Sequence, residues 1–215
     1  MKKHLLTVGL FAVITGMGCG GGENENNPPP QSKPYPLAIG NWWFYMGEYD
    51  TTSWDTTRIV DDTLYEGNNA FIAEYITPDK AVDTMILYYA DGFLHYIYNT
   101  TMESFSFTLH GRTRETMAVG DTWTIFTYDT TIMPGYDISL IALARVLAVE
   151  DMTVPAGSFA GCYKILDSLT VLMNGTPMST HINYSWIAMG VGTVYNQDPA
   201  DSTMNTELVD YHLVE

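Results

Sequence analysis

The sequence predicts an all-β protein built on a single antiparallel curved sheet of about 10–12 strands. Apolar and polar residues alternate in segments such as 104–109 and 178–186, which is typical of strands with one buried face. Asp91-Gly92 and Asn174-Gly175 lie between such segments and suit the tight turns of antiparallel hairpins. The segment 85–89 is apolar on both faces, which a sheet curled around an interior explains.

Twelve segments carry strand patterns, and turn-forming residues separate them. They lie near residues 41–48, 56–61, 69–77, 83–90, 92–99, 103–109, 122–129, 138–150, 158–173, 178–187, 191–196 and 206–214. Segment 139–149 also spaces its apolar residues as a helix would, so a helix remains the alternative there. A strand is favoured because Val146 and Val149 are β-branched and Pro155 follows the segment.

Residues 1–18 have the pattern of an export signal peptide. A basic start precedes the apolar run 5–15, which is shorter than the roughly 20 residues that a membrane-spanning helix needs. Gly16, Gly18 and Cys19 resemble the lipobox of bacterial lipoproteins, whose cysteine is acylated, for example with palmitate, and becomes the first mature residue. Because Gly16 stands where that pattern prefers a branched aliphatic residue, an ordinary signal peptidase site is the alternative. We expect lipidation of Cys19.

Residues 19–36 predict a disordered tether between the lipidated cysteine and a single β domain at 37–215. The segment 20–27 has no apolar side chain, and the prolines after it favour extended chain. Gly20 follows the cysteine at the position where an aspartate would resemble an inner-membrane retention signal. We therefore expect a lipid-anchored protein of the cell envelope, at the outer membrane, on an undetermined face.

The charge balance argues against nucleic acid as a partner. The chain has 9 Lys and Arg against 25 Asp and Glu, a net charge of −16, and loss of Lys2 and Lys3 with the signal peptide makes it −18. Such a surface repels a phosphate polymer. It also disfavours adsorption to anionic lipid, so we expect membrane attachment through Cys19. Acylation of Cys19 leaves Cys162 without a disulfide partner, and we expect a buried structural thiol.

Two motifs resemble signatures of bacterial exported proteins. The first, 152–159, reads Met-Thr-Val-Pro-Ala-Gly-Ser-Phe, and the second, 184–194, ends in Met-Gly-Val-Gly-Thr-Val. Together with the Gly-Asp-x-Trp corner at 120–123 they are similar to the DUF3108-like proteins of unknown function, although Met189 replaces the usual proline. The resemblance implies an antiparallel half barrel or lipocalin-like barrel with no established catalytic residues. The expected structural turn positions are Pro155, Gly157, Gly190 and Gly192.

No sequence pattern indicates catalysis, a metal or a cofactor. Ser158 stands one place early for a nucleophile elbow, and no strand-to-helix crossover is evident. Four histidines are scattered along the predicted strands without the paired spacing typical of metal ligands: His95, His110, His181 and His212. The acidic residues do not form a calcium-binding loop. We therefore expect a protein that is not an enzyme, with no catalytic residues, no metal and no cofactor.

Aromatic residues and methionine are abundant, with 15 Tyr, 8 Phe, 5 Trp and 12 Met. One hairpin concentrates a candidate ligand-binding set, Tyr88, Tyr89, Phe93, Tyr96 and Tyr98. In one interpretation these side chains fill the core and cover the outer sheet. In the other they line a concave apolar surface with polar tips, suited to a lipid, a glycan or a peptide.

Two functional hypotheses follow from these patterns. The leading one is a cell-envelope lipoprotein whose β domain binds an apolar or amphipathic ligand, or another envelope protein, without catalysis. The alternative is a structural or adhesive surface lipoprotein that makes protein contacts. An interior cavity lined by aromatic residues favours the first hypothesis, whereas a filled core with a flat exposed aromatic patch favours the second.

Overall fold

The computed structural model describes residues 33–79, 82–102 and 105–214. The predicted signal peptide and Cys19 lie outside these residues. Twelve antiparallel strands and a single 3₁₀ turn, Ser202–Met204, form the secondary structure of the described chain. None of its helical segments is long and apolar enough to cross a membrane.

All twelve strands belong to one sheet. They are β1 (Trp42–Gly47), β2 (Trp54–Tyr65), β3 (Asn68–Ile76), β4 (Val82–Ala90), β5 (Phe93–Met102), β6 (Phe105–Arg114), β7 (Thr122–Met133), β8 (Tyr136–Val154), β9 (Gly157–Met173), β10 (Thr176–Ala188), β11 (Gly192–Gln197) and β12 (Thr206–His212). Their order in the sheet is β6-β5-β4-β3-β2-β1-β12-β11-β10-β9-β8-β7. Two meanders of consecutive strands are therefore joined where β1 pairs with β12. The prediction of a single antiparallel curved sheet is confirmed.

The segment that resembled a helix is the middle of the longest strand. β8 spans 19 residues and pairs with β9 along nearly its whole length. The pairing register shifts between Val146 and Ala148 and again between Glu150 and Met152. Bulges of this kind bend a strand and increase its twist, so β8 and β9 curve with the sheet. The strand interpretation of 139–149 is confirmed.

The sheet curls into a nearly closed barrel whose two edge strands, β6 and β7, meet side by side. No backbone ladder joins these edges within the described residues. Side chains bridge them instead. The indole Nε1 of Trp123 donates a hydrogen bond to the carbonyl oxygen of Arg112 at 3.1 Å, and Nε of Arg112 donates to the carbonyl oxygen of Thr124 at 3.1 Å. We call this contact the seam of the barrel.

The predicted hairpin turns have the backbone conformation that their residues favour. Asp91 and Gly92 have φ angles of 52° and 77°, and Asn174 and Gly175 have φ angles of 50° and 76°. Two successive positive φ angles define the turn whose twist matches that of paired strands. These two turns set the register of the β4–β5 and β9–β10 hairpins.

The chain immediately before β1 packs against the barrel. Tyr35 is only 5% exposed, and its backbone N–H and carbonyl oxygen both hydrogen-bond to the hydroxyl of Tyr89, at 3.1 and 2.8 Å. The carbonyl oxygen of Lys33 accepts a hydrogen bond from the backbone N–H of Gly190 at 2.8 Å. Lys33 and Tyr35, which fall within the predicted tether 19–36, therefore hydrogen-bond to the barrel ahead of β1.

Candidate functional site

A small cavity lies inside the barrel. Its volume is about 60 Å³. Drug-sized pockets run from roughly 300 to 1,000 Å³, so this cavity suits a few water molecules or a small chemical group. Its walls are formed by Tyr35, Tyr96, Tyr98, Thr113, Trp123, Ile125, Phe126, Ile165, Asp167, Ser185, Ile187, Thr193 and Asn196.

Two tyrosines of β5 form the aromatic side of the cavity. The rings of Tyr96 and Tyr98 are stacked, with centroids 6.5 Å apart and an interplanar angle of 20°. Tyr96 stands opposite Gly111 of β6, and a Cβ atom at position 111 would lie 2.0 Å from the Tyr96 ring. Because Gly111 has no side chain, the Tyr96 ring can occupy the space beside it. Burial raises the pKa of both phenols.

Three polar residues on neighbouring strands form the opposite side. Asp167 lies on β9, Ser185 on β10 and Asn196 on β11, and Ser185 pairs directly with Asn196. The hydroxyl of Ser185 donates a hydrogen bond to Oδ2 of Asp167 at 2.9 Å. Burial raises the pKa of Asp167 to about 7, although this hydrogen bond favours the ionised form. Because Asp167 lines the cavity, its remaining accessible surface faces the interior of the barrel.

The polar face of β10 points inward, and its aromatic face points outward. Side chains alternate across a strand, so Tyr184 and Trp186 lie on the face opposite to Ser185. On that outer face the ammonium group of Lys164 lies 5.3 Å from the Tyr184 ring centroid and 4.5 Å from that of Trp186. Nε1 of Trp186 donates a hydrogen bond to the Glu150 carboxylate at 2.5 Å. At Ser185 the usual pattern of apolar inside and polar outside is therefore inverted, whereas Ile187 of the same strand presents an apolar side chain to the cavity.

A second acid is buried on the inner face of β2. Asp55 is 6% exposed, and burial raises its pKa to about 7, although a hydrogen bond from Tyr75 favours the ionised form. Its Oδ1 atom is buried without a hydrogen-bond partner, and so is Nε1 of Trp43 on the adjacent strand. Asp55 does not belong to the cavity wall. Two carboxyl groups inside the barrel, those of Asp55 and Asp167, thus have pKa values well above the ordinary value for aspartate.

The structure divides the predicted ligand-binding set between the two faces of the sheet. Tyr96 and Tyr98 line the cavity, and Tyr89 lies on the inner face, where it holds the backbone of residue 35. Tyr88 stacks on His95 on the outer face, with ring centroids 4.8 Å apart. Phe93 is also outside, under the guanidinium group of Arg112 at 4.6 Å. The five aromatic side chains therefore do not form one surface.

Sequence reasoning missed most of the cavity wall. Tyr35 falls within the predicted tether 19–36, Trp123 belongs to the Gly-Asp-x-Trp corner, and Phe126 carries no pattern beyond that of a strand. A usable signal existed at Asp167, an acid inside the apolar run 165–169, since a charged residue on a buried strand requires an explanation. Gly111 carried a second signal, because glycine within a strand marks close approach of another group.

The predicted turn glycines occupy turn or bulge positions outside the cavity wall. Gly157 has a φ angle of +141°, Gly190 of +76° and Gly192 of +101°. Pro155 is exposed in the two-residue loop between β8 and β9. Gly190 also donates the backbone hydrogen bond that holds residue 33.

Other reactive groups are dispersed over the described chain. No cluster of three or more histidine, cysteine, aspartate or glutamate side chains occurs within residues 33–79, 82–102 and 105–214. Burial raises the pKa of Cys162 to about 11 and favours the uncharged thiol. His181 lies 3.4 Å from the Asp198 carboxylate, at some distance in sequence from the other histidines. Within the part of the chain that the structure describes, the cavity wall is therefore where polar groups and aromatic rings meet in the interior.

Comparison with known proteins shows relatives in fold alone. No protein-family model and no curated protein matches the chain. A predicted lipoprotein from Parabacteroides distasonis aligns with a TM-score of 0.56 and 13% identity, over 84% of this chain and 99% of that one. A predicted exported protein with a YmcC-like fold from Bacteroides fragilis aligns with a TM-score of 0.53 and 13% identity, over 85% of this chain and 100% of that one. No matching family model supports the resemblance to the DUF3108-like proteins.

Proposed function

We propose that the protein is a lipid-anchored protein of the cell envelope whose barrel binds a small amphipathic group without catalysing a reaction. The observation that carries this proposal is the cavity, in which aromatic rings face a carboxyl, a hydroxyl and a carboxamide. Binding sites typically combine apolar walls with a few polar groups that orient the ligand. The inverted pattern of β10 adds support, since departures from the usual pattern concentrate at functional sites.

The size of the cavity restricts what it binds. A volume of about 60 Å³ excludes a folded acyl chain or a sugar ring. The ligand is therefore a very small molecule, or a larger amphipathic molecule that places one end inside the barrel.

The alternative, a structural or adhesive surface protein, needs an open aromatic patch. The outer cluster around Tyr88 does not provide one, because Tyr88 is 7% exposed and packs between Tyr65 and His95. Partly buried neighbours, Ile86 and Ala90, close the remainder of that cluster. The cavity is thus the better candidate.

The envelope location rests on the amino terminus together with the two similar folds, one described as a lipoprotein and the other as an exported protein. We expect acylation of Cys19 and residence at the outer membrane. Cell fractionation of the wild type and Cys19→Ala tests this, with the wild type expected in the outer-membrane fraction. Equal solubility of the two proteins would contradict the lipid anchor.

Ligand binding is tested by native mass spectrometry of the full-length protein purified from its own membrane. We expect a small molecule to accompany the wild type. Thr113→Phe should fill the cavity and remove that molecule, whereas Thr170→Phe, on the outer face of β9, should retain it. Wild-type protein that carries no added mass, as expected for Thr113→Phe, would refute the proposal.

A further inference from the structure

We infer that the cavity selects an organic cation, a small alkylammonium group held between aromatic ring faces and the Asp167 carboxylate. This inference rests on the proposed binding function and names the chemical class of its ligand. Three features of the cavity carry it: the charge of its wall, the nature of its apolar side and its size.

Among the described residues, Asp167 is the only aspartate or glutamate in the cavity wall, and no lysine, arginine or histidine joins it there. In this part of the chain the hydroxyl of Ser185, which is uncharged, donates the hydrogen bond to its carboxylate. A buried carboxylate is costly unless it is paired with a cation or with several donors. The wall therefore supplies an anion and lacks the opposite charge that would balance it.

The apolar side of the cavity consists largely of π-systems. The aromatic members of the wall are Tyr35, Tyr96, Tyr98, Trp123 and Phe126. Cations bind over aromatic faces, and several rings around one site recognise methylated ammonium groups.

Elsewhere in the described structure, three basic side chains make cation–π contacts with aromatic rings. Lys33 lies 4.1 Å from the Tyr89 ring centroid, Arg112 lies 4.6 Å from that of Phe93, and Lys164 lies 4.5 Å from that of Trp186. All three cations belong to residues outside the cavity wall. Inside the cavity the rings and the carboxylate are present, and no basic side chain from residues 33–79, 82–102 or 105–214 lines it.

The donor set and the volume distinguish an organic cation from a metal ion. Calcium takes six to eight oxygen ligands, chiefly from carboxylates, carbonyl groups and water, and zinc takes four ligands from cysteine, histidine and carboxylates. Among the described residues the wall offers the Asp167 carboxylate and the Asn196 carboxamide, and its other side-chain oxygens are hydroxyls. A volume of about 60 Å³ accepts the nitrogen of an amine with its nearest carbon atoms. The net charge of −16 raises the local concentration of cations around the protein and favours their capture.

The experiment compares cations with neutral molecules of the same shape. Full-length protein in detergent is titrated at pH 8 by NMR with two matched pairs: choline against 3,3-dimethyl-1-butanol, and ethylammonium against ethanol. We expect the cation of at least one pair to bind about tenfold more tightly than its neutral counterpart. Asp167→Asn should reduce that preference at least tenfold and leave the affinity of the neutral probe nearly unchanged.

A second variant keeps the test decisive if Asp167→Asn does not fold. Tyr98→Leu preserves an apolar wall and removes one ring face, so it should weaken the cation several-fold more than the neutral probe. Thr170→Phe on the outer face is the control and should bind both probes as the wild type does.

The outcomes separate the inference from the proposed function. Equal affinity for cation and neutral probe, or recovery of a neutral molecule from the native membrane, would overturn the cation inference and leave the binding function standing. A wild-type protein that carries no native molecule and binds neither member of either pair would overturn both.

Discussion

At the scale of single residues, the inner face of the barrel holds two acidic side chains whose charge no described basic residue neutralises. Asp55 and Asp167 lie on the inner face of the sheet, and no basic side chain pairs with either one in the described structure. Each is supported by a single hydroxyl, from Tyr75 and Ser185 respectively. Burial therefore dominates and raises both pKa values to about 7, so that each carboxyl is mostly protonated below that pH and ionised above it.

The raised pKa values predict a pH dependence of stability. Each carboxyl loses its proton near pH 3.8 in the unfolded chain and at about pH 7 in the folded protein. Between these values the folded state binds more protons, so stability falls as pH rises, by up to about 1.4 kcal/mol per pH unit for each group. Urea denaturation between about pH 5 and pH 7 should show a shallower slope for Asp55→Asn and for Asp167→Asn. Slopes identical to the wild type would show that neither acid is buried as described.

The contact between Gly111 and Tyr96 makes a second prediction at this scale. A methyl group at position 111 would overlap the Tyr96 ring, since its Cβ would lie 2.0 Å from Cε2 and 2.2 Å from Cζ. Gly111→Ala should therefore cost on the order of 1–3 kcal/mol of unfolding free energy through overpacking. In a Tyr96→Ala background the same substitution should cost much less. A double-mutant cycle by urea denaturation measures this coupling, and strictly additive costs would contradict the close contact.

At the scale of elements, the sequence predicts where the strands lie better than which way they face. Asn174-Gly175 fixes a turn because the two residues favour positive φ whatever surrounds them. The inward direction of Ser185, by contrast, depends on the polar cavity that distant strands create. The same limit explains Tyr35, whose partners Tyr89 and Thr193 are remote in sequence and leave no local pattern around it.

The segment before β1 predicts a measurable contribution to stability. The Tyr35 side chain is buried, and its hydroxyl lies 3.4 Å from that of Thr193. Tyr35→Ala should cost on the order of 3 kcal/mol, the usual loss for a large buried aromatic side chain. A chain that starts at residue 33 should unfold at a higher urea concentration than a chain that starts at residue 37. Equal midpoints would show that the segment does not contribute to the fold.

At the scale of the whole molecule, the sheet gains its closed form from contacts that no segment specifies alone. Strong strand patterns and hairpin turns predict a curved antiparallel sheet, but they leave a half barrel and a closed barrel equally open. Closure depends on the accumulated twist of twelve strands and on the fit of the two edges. At the seam a side-chain donor and a main-chain acceptor, Trp123 and Arg112, replace the ladder of backbone hydrogen bonds.

The seam should therefore be the place where the barrel opens locally. Trp123→Phe keeps a buried aromatic ring but removes the donor to the Arg112 carbonyl, a net loss of about 0.5–1.5 kcal/mol. Amide hydrogen exchange in β6 and β7 should accelerate by roughly twofold to tenfold, while exchange in β9 and β10, which lie among paired neighbours, should remain as in the wild type. Trp186→Phe is the matched control, because it removes an indole hydrogen bond on the outer face of β10. If Trp123→Phe accelerates exchange uniformly through all strands, the sheet opens as one unit and the seam has no separate role.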